Sequence, residues 1–180
     1  MTRPDLRRLI HASSSLVLLA VLVSWELLRY LLLAALIAMT ALELARLRSK
    51  PFREKLYKLV PVYRATEEHR VSGAGWLTLG YAVASWFPLP APIVGILAGA
   101  LADPAASAIG SRWGGAREVK TLPGTLAALA ATFVLCAVVG LAWPNCLAAG
   151  ITAAALERWP VLDDNLVVAP GVAAVVWVLS

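Results

Sequence analysis

Apolar and charged residues come in blocks along this chain, long apolar runs being separated by short polar stretches. The first pair of runs extends almost unbroken from Leu9 to Arg48. The pattern gives seven apolar segments, at 9–23, 26–48, 75–87, 92–112, 123–143, 145–156 and 165–180. Their length and continuity predict helices, although several fall short of the ~20 residues of a straight bilayer crossing. Only Ser24 and Trp25 separate the first two, which predicts a tight helical hairpin. No small-residue cleavage site precedes the second run, so the first is expected to be a span and not a cleaved leader.

Composition turns the pattern into a class. Of 180 residues, 60% are apolar and 15% charged, more apolar surface than a water-soluble domain of this size can hide. The expectation is an all-α polytopic integral membrane protein, one membrane-embedded domain over 1–180. That excludes a secreted disulfide scaffold, a disordered tail, a Rossmann or barrel enzyme and a nucleic-acid-binding domain. The net charge of +5 then marks cytoplasm-facing Lys and Arg, with membrane lipids and not nucleic acid as neighbours. Cys136 and Cys146, with no His nearby and no metal-like spacing, read as small buried hydrophobes.

Orientation follows from where the cations fall. Arg3, Arg7 and Arg8, then Arg46 through Arg70, then Arg112, Arg117 and Lys120, then Arg158 occupy alternate connections. The intervening ones carry no Lys or Arg, and only Arg29 stands near them. Seven crossings with a cytoplasmic N-terminus satisfy the positive-inside rule. The stretch 49–70 is the one sizeable cytoplasmic loop, basic but interleaved with Phe52, Leu56, Tyr57, Leu59 and Val60. It is open between a solvated loop and an amphipathic piece lying in the headgroup layer.

Ionisable residues inside or bordering apolar segments are functional candidates, because a bilayer makes them costly. On this topology they share one side: His11, Glu43, Arg70 with Ser72 and Gly73, Asp103, Lys120, and Asp163, Asp164 and Asn165. Asp103-Pro104 also reads as a helix start, so the fourth span is expected to break near Asp103 and line a cavity. Gly95, Gly99, Asp103, Ser107 and Ser111 form a small-residue stripe around the carboxylate. A carboxylate beside the glycine-rich turn Gly110-Ser111-Arg112-Trp113-Gly114-Gly115 suits a hydrated Mg²⁺ carrying nucleotide phosphates. Lys120, Thr121 and Gly124 put a cation and a helix N-terminus on that same face, which favours phosphate. Simpler roles stand beside these: helix packing for the stripe, caps for Asp103 and Asp163–Asn165, an anchor for Lys120, an ion pair for Glu43 with Arg46, and interfacial solvation for His11. The run Ser72-Gly73-Ala74-Gly75 lacks P-loop or Rossmann spacing and reads as a place of close backbone approach.

Taken in order, Arg8 to His11, Glu43-x-x-Arg46, Glu67-x-x-Arg70-x-Ser72-Gly73-Ala74, Asp103-x-x-Ala106-x-x-Ile109-Gly110, Lys120-Thr121-x-x-Gly124-Thr125 and Asp164-Asn165 resemble the polyprenol kinase family, which includes dolichol kinase, phytol kinase and the CTP-dependent diacylglycerol kinase of fungi. The resemblance implies transfer of the γ-phosphoryl group of a nucleoside triphosphate, usually CTP, to a lipid alcohol with a divalent metal such as Mg²⁺. It places the acidic motif on Asp103, the lysine motif on Lys120 and Gly124, and the terminal motif on Asp164 and Asn165. Asp103 and Asp164 would hold the metal. Arg70, Ser72, Gly73, Gly110, Gly114, Lys120, Thr121, Gly124 and Asn165 would meet the nucleotide. Asp164, Glu43 or His11 would take the alcohol's proton. Two places depart from the family pattern: Ala102 and Pro104 flank the motif aspartate, and Thr-Leu-Pro-Gly follows Lys120 where Ser-x-Glu-Gly is usual. Other readings are a cytidylyltransferase that makes a CDP-lipid, and a transporter or assembly subunit.

Overall fold

A computed structural model describes residues 3–60, 63–113, 120–159 and 161–180, the side chains of Arg3, Pro4 and Ala65 apart. Every regular element among them is helical. Helix α1 (Arg3–Ser13) runs on as a 3-10 stretch (Ser14–Leu22), followed by α2 (Trp25–Arg48), α3 (Lys50–Leu59) and a 3-10 turn (Ala65–Glu67). Then come α4 (Gly73–Ala84), α5 (Ala91–Trp113), α6 (Leu122–Val139), α7 (Trp143–Arg158) and α8 (Asp164–Leu179).

Short polar residues set the starts. Ser24, Ser72 and Thr121 accept from the backbone N–H three residues on, at 3.0, 3.2 and 3.2 Å, and Asp163 caps α8 through the Asn165 N–H at 3.1 Å. Gly140, at φ 90°, ends α6 in the left-handed conformation that glycine adopts without strain. The change from α to 3-10 geometry after Ser13 coincides with three consecutive serines. Each hydroxyl donates to the carbonyl three residues back, on Ile10, His11 and Ala12. The resulting nine-residue 3-10 stretch rises about 2.0 Å per residue, so it spans roughly 18 Å where an α-helix would span roughly 14 Å.

Three helices are long and apolar enough to cross a bilayer: α2, α5 and α6, of 24, 23 and 18 residues. At about 1.5 Å per residue they measure roughly 36, 35 and 27 Å, against a hydrocarbon core of about 30 Å. The distribution of side chains fits lipid as the surroundings. Alanines fill the interior, among them Ala84, Ala98, Ala100, Ala149, Ala169 and Ala173, while Leu19, Leu22, Tyr30, Ile37, Val138 and Val178 point outwards. Small residues inside let helix backbones approach where no hydrophobic force drives them together. Gly95 shows how closely: a Cβ there would collide with the Ala169 carbonyl and the Ala173 methyl of α8.

Helix α5 lies at the centre, packed against α6, α8, α4, α1 and the 3-10 stretch. Helix α7 closes a ring by touching both α6 and α8, and α2 lies outside against α4 and the 3-10 stretch. The break expected near Asp103 does not occur. Helix α5 is one element from Ala91 to Trp113 with Pro104 inside it, and Asp103 is not a cap. An internal proline costs about 3 kcal/mol and removes the donor to the Ala100 carbonyl. Close packing on several sides offsets that cost, and one turn earlier the His11 side chain bonds the Gly99 carbonyl at 2.8 Å.

Contacts between helices gather charged residues at one end: Arg8 of α1 meets Ser107 and Ser111 of α5, Glu43 of α2 meets Ser72 before α4, and Lys120 before α6 meets Glu157 of α7 and Asp164 of α8. Among the described residues only Glu26 and Arg29 lie towards the other. There Arg29 donates to the Ser85 carbonyl at 3.0 Å and its guanidinium lies over the rings of Trp25 and Trp86.

Candidate active site

At the charged end, a narrow cleft is lined by Gly99, Ala102, Asp103, Ala153, Glu157, Asp164, Asn165 and Val168. Three carboxylates from three helices thus share one wall: Asp103 of α5, Glu157 of α7 and Asp164 of α8. Lys120, just before α6, ties two of them together. Its ammonium donates to Asp164 Oδ2 at 2.8 Å and lies 3.7 Å from Glu157 Oε1. Thr125 Oγ1 donates to the other Glu157 oxygen at 3.4 Å. Asn165 Nδ2 donates to Asp163 Oδ1 at 2.7 Å, which keeps the amide at the cleft's lip.

Asp103 faces His11 from α1, with Oδ2 3.5 Å from Nδ1. A carbonyl can only accept, so the ring nitrogen near Gly99, Nε2, carries the proton and Nδ1 is turned to the carboxylate. One turn further along α5, Arg8 donates to the Ser107 hydroxyl at 3.0 Å, to its carbonyl at 3.0 Å and to the Ser111 hydroxyl at 3.2 Å. The small-residue stripe therefore serves two contacts, α8 through Gly95 and Gly99 and α1 through Ser107 and Ser111, with Asp103 between them. Among the described residues, no group of three or more His, Cys, Asp or Glu is placed to hold a metal ion by itself.

Comparison with protein-family models, curated proteins and solved structures gives no match.

Glu43 belongs to a second cluster, and it does not line the cleft. Its carboxylate receives Arg46 at 2.6 Å, the Ser72 hydroxyl at 2.8 Å and the Ser72 N–H at 3.0 Å. Arg46, with no exposed surface, also donates to Tyr57 Oη at 2.9 Å, to the Glu67 carbonyl at 2.7 Å and to the Arg70 carbonyl. Tyr63 stacks on Tyr57 beneath the guanidinium. Burial first, and then the Glu43 carboxylate, push its hydroxyl above the usual range, so the ring enters this cluster uncharged. Glu43 and Ser72 thus fasten the segment 63–72 to α2, while the Arg70 residue is exposed. Gly73 joins the two clusters. Its N–H donates to Glu67 Oε1 at 3.1 Å, and a Cβ on it would lie 3.1 Å from Asn165 Nδ2.

Gly110, Thr121 and Gly124 meet where α5 crosses the start of α6. A Cβ on Gly124 would stand 2.9 Å from the Ala106 carbonyl, and one on Gly110 2.8 Å from Thr121 Oγ1. Their placement brings Lys120 to the cleft. Gly114 lies outside the described residues.

Sequence reasoning passed over Glu157. A signal was present: a carboxylate in the last turn of an apolar helix is opposed both by burial and by the negative end of the helix dipole, so it calls for a partner. It used Arg7 only to set the orientation and Arg8 only there and within the family motif, whereas Arg7 pairs with Glu67 at 3.5 Å and Arg8 grips α5.

Proposed function

We propose that this chain is a membrane-embedded lipid-alcohol kinase of polyprenol kinase type, transferring a γ-phosphoryl group from a nucleoside triphosphate such as CTP to an isoprenoid-like alcohol. The observation that carries the reading is the convergence of Asp103, Glu157, Asp164, Asn165 and Lys120 on one cleft at the charged end of an apolar bundle. In this reading the chain crosses seven times, and the cation-rich connections and the cleft face the cytoplasm. A soluble nucleotide then meets a lipid hydroxyl held between helices at the membrane boundary.

Phosphoryl transfer asks mainly for positioning and charge neutralisation. Mg²⁺ fits the donors present, since it takes oxygen ligands and is commonly held by one or two carboxylates together with substrate phosphates. Asp103 and Asp164 would hold it, and it would supply charge neutralisation at the phosphate oxygens. Lys120 contributes a cation beside that position, kept there by Glu157. Asn165 offers a neutral donor at the lip. Two candidates for the base remain: Asp164 on the cleft wall, and His11 behind Asp103, whose Nε2–H is fixed by Gly99. Glu43 is already engaged by Arg46 and Ser72. In the step, the lipid oxygen bonds to the γ-phosphorus, the bond to the β,γ-bridging oxygen breaks, the hydroxyl proton goes to the base and the nucleoside diphosphate leaves.

The test is direct. Purified protein in detergent is given labelled CTP or ATP with a polyprenol, a phytol-like alcohol or diacylglycerol, and both products are identified. The expected result is a phosphorylated lipid with CDP or ADP, lost in Asp103→Asn and in Lys120→Ala while both variants remain folded. Pyrophosphate in place of the diphosphate would mean cytidylyl transfer. Full activity in either variant would overturn the assignment.

A further inference from the structure

Helix α3 turns Arg53, Leu56 and Tyr57 towards the protein and leaves Phe52 and Leu59 exposed among charged residues. Arg53 and Tyr57, four residues apart on one face, are turned inward, Arg53 to Glu68 at 3.4 Å and Tyr57 to Arg46 at 2.9 Å. On the opposite face stand Phe52, Lys55 and Leu59, all exposed, Leu59 at 70%. Lys50 and Lys58 are exposed as well, as is Glu54, 3.9 Å from Lys50, so the helix carries three exposed lysines against one exposed carboxylate. Solvation alone does not account for Phe52 and Leu59 standing exposed while Arg53 is buried. The helix also starts one residue after α2, the longest of the helices able to cross a bilayer, with Ser49 making the turn. That places α3 at the bilayer boundary.

We propose that α3 is an interfacial helix whose outer face binds an anionic lipid surface. Phe52 and Leu59 enter the boundary between headgroups and acyl chains, and Lys50, Lys55 and Lys58 meet lipid phosphates. Apolar anchors flanked by lysines combine area burial with attraction to anionic headgroups. The occupant is identified by that pairing of charge and hydrophobicity. The inward contacts give the helix a further consequence: through Tyr57 and Arg46, its seating is connected to the segment 63–72. The proposal does not depend on the kinase reading.

The experiment uses the full chain carrying Leu59→Cys, labelled with an environment-sensitive fluorophore. Cys136 and Cys146 are buried, so labelling of the unsubstituted chain gives the background. The protein is placed in nanodiscs of phosphatidylcholine alone or with added phosphatidylglycerol, and quenching by a nitroxide lipid and by aqueous iodide is measured. The expected result is about twofold or greater lipid quenching in the anionic discs, abolished by Lys55→Glu with Lys58→Glu and reduced by high salt. Equal lipid quenching in both compositions would overturn recognition of anionic lipid. A label open to iodide and untouched by the nitroxide would overturn seating in the interface. A label shielded from both would show that protein, such as a second copy, covers the face, and would also overturn it.

Discussion

Arg46 offers the sharpest test of how the charged end of the bundle is held. Arg46→Met removes a guanidinium with no exposed surface and leaves the Glu43 carboxylate with only the N–H and hydroxyl of Ser72. Breaking a buried ion pair from one side costs roughly 3–5 kcal/mol, because the remaining charge stays desolvated. The Glu67 and Arg70 carbonyls and the Tyr57 hydroxyl also lose a donor, at roughly 1 kcal/mol or more each where water cannot replace it. These terms overlap, so a net loss of about 4 kcal/mol is expected. At about 2–4 °C per kcal/mol for a chain of this size, the melting midpoint should fall by roughly 8–16 °C. The molecule carries its own reporter: Cys136 and Cys146 are free and buried, so a thiol-reactive dye fluoresces only as the bundle opens. Adding Glu43→Gln to Arg46→Met should recover part of the loss, since the orphaned charge is gone and the two effects are coupled. A single-variant shift below about 2 °C would refute the reasoning. So would a double variant as unstable as the two single losses added together.

Other consequences are simpler to measure. Under the proposed kinase function, Glu157→Gln should lower kcat/KM by about tenfold, equivalent to about 1.4 kcal/mol, with partial recovery in Glu157→Asp; unchanged kinetics would remove Glu157 from the positioning of Lys120. Gly124→Val should lower the dye-detected midpoint by several degrees, because overpacking costs roughly 1–3 kcal/mol and the Ala106 carbonyl has nowhere to move; a midpoint at the wild-type value would show that α5 and the start of α6 are not in contact as described.

The helical class and most helix positions were legible in the sequence, because long apolar blocks bounded by Ser, Thr, Asp and Gly fix where helices start and stop. Local signals failed in three places. Asp103-Pro104 carries the chemistry of a helix start, yet α5 runs through it because packing on several sides outweighs the local preference. The serines after Ala12 gave no warning of a nine-residue 3-10 stretch, since their hydroxyls choose carbonyl partners only once the chain is helical. The basic stretch 49–70 left loop and helix open, and α3 settled there with Arg53 buried against Glu68 and Tyr57 against Arg46.

For the site, the sequence by itself determined that the ions lie in alternate connections, and helices that alternate in direction must then collect them at one end. It also supplied Asp103, Lys120, Asp164 and Asn165 as neighbours of one region. Only the tertiary structure decided which of these meet. It placed Glu157 against Lys120 across 37 residues of chain, turned His11 towards Asp103, and committed Glu43 to Arg46 and Ser72. The physical reason is that a desolvated charge is stable only beside a partner. Which partner it finds is set by how the small-residue faces of α5, α7 and α8 pack, and no local pattern encodes that.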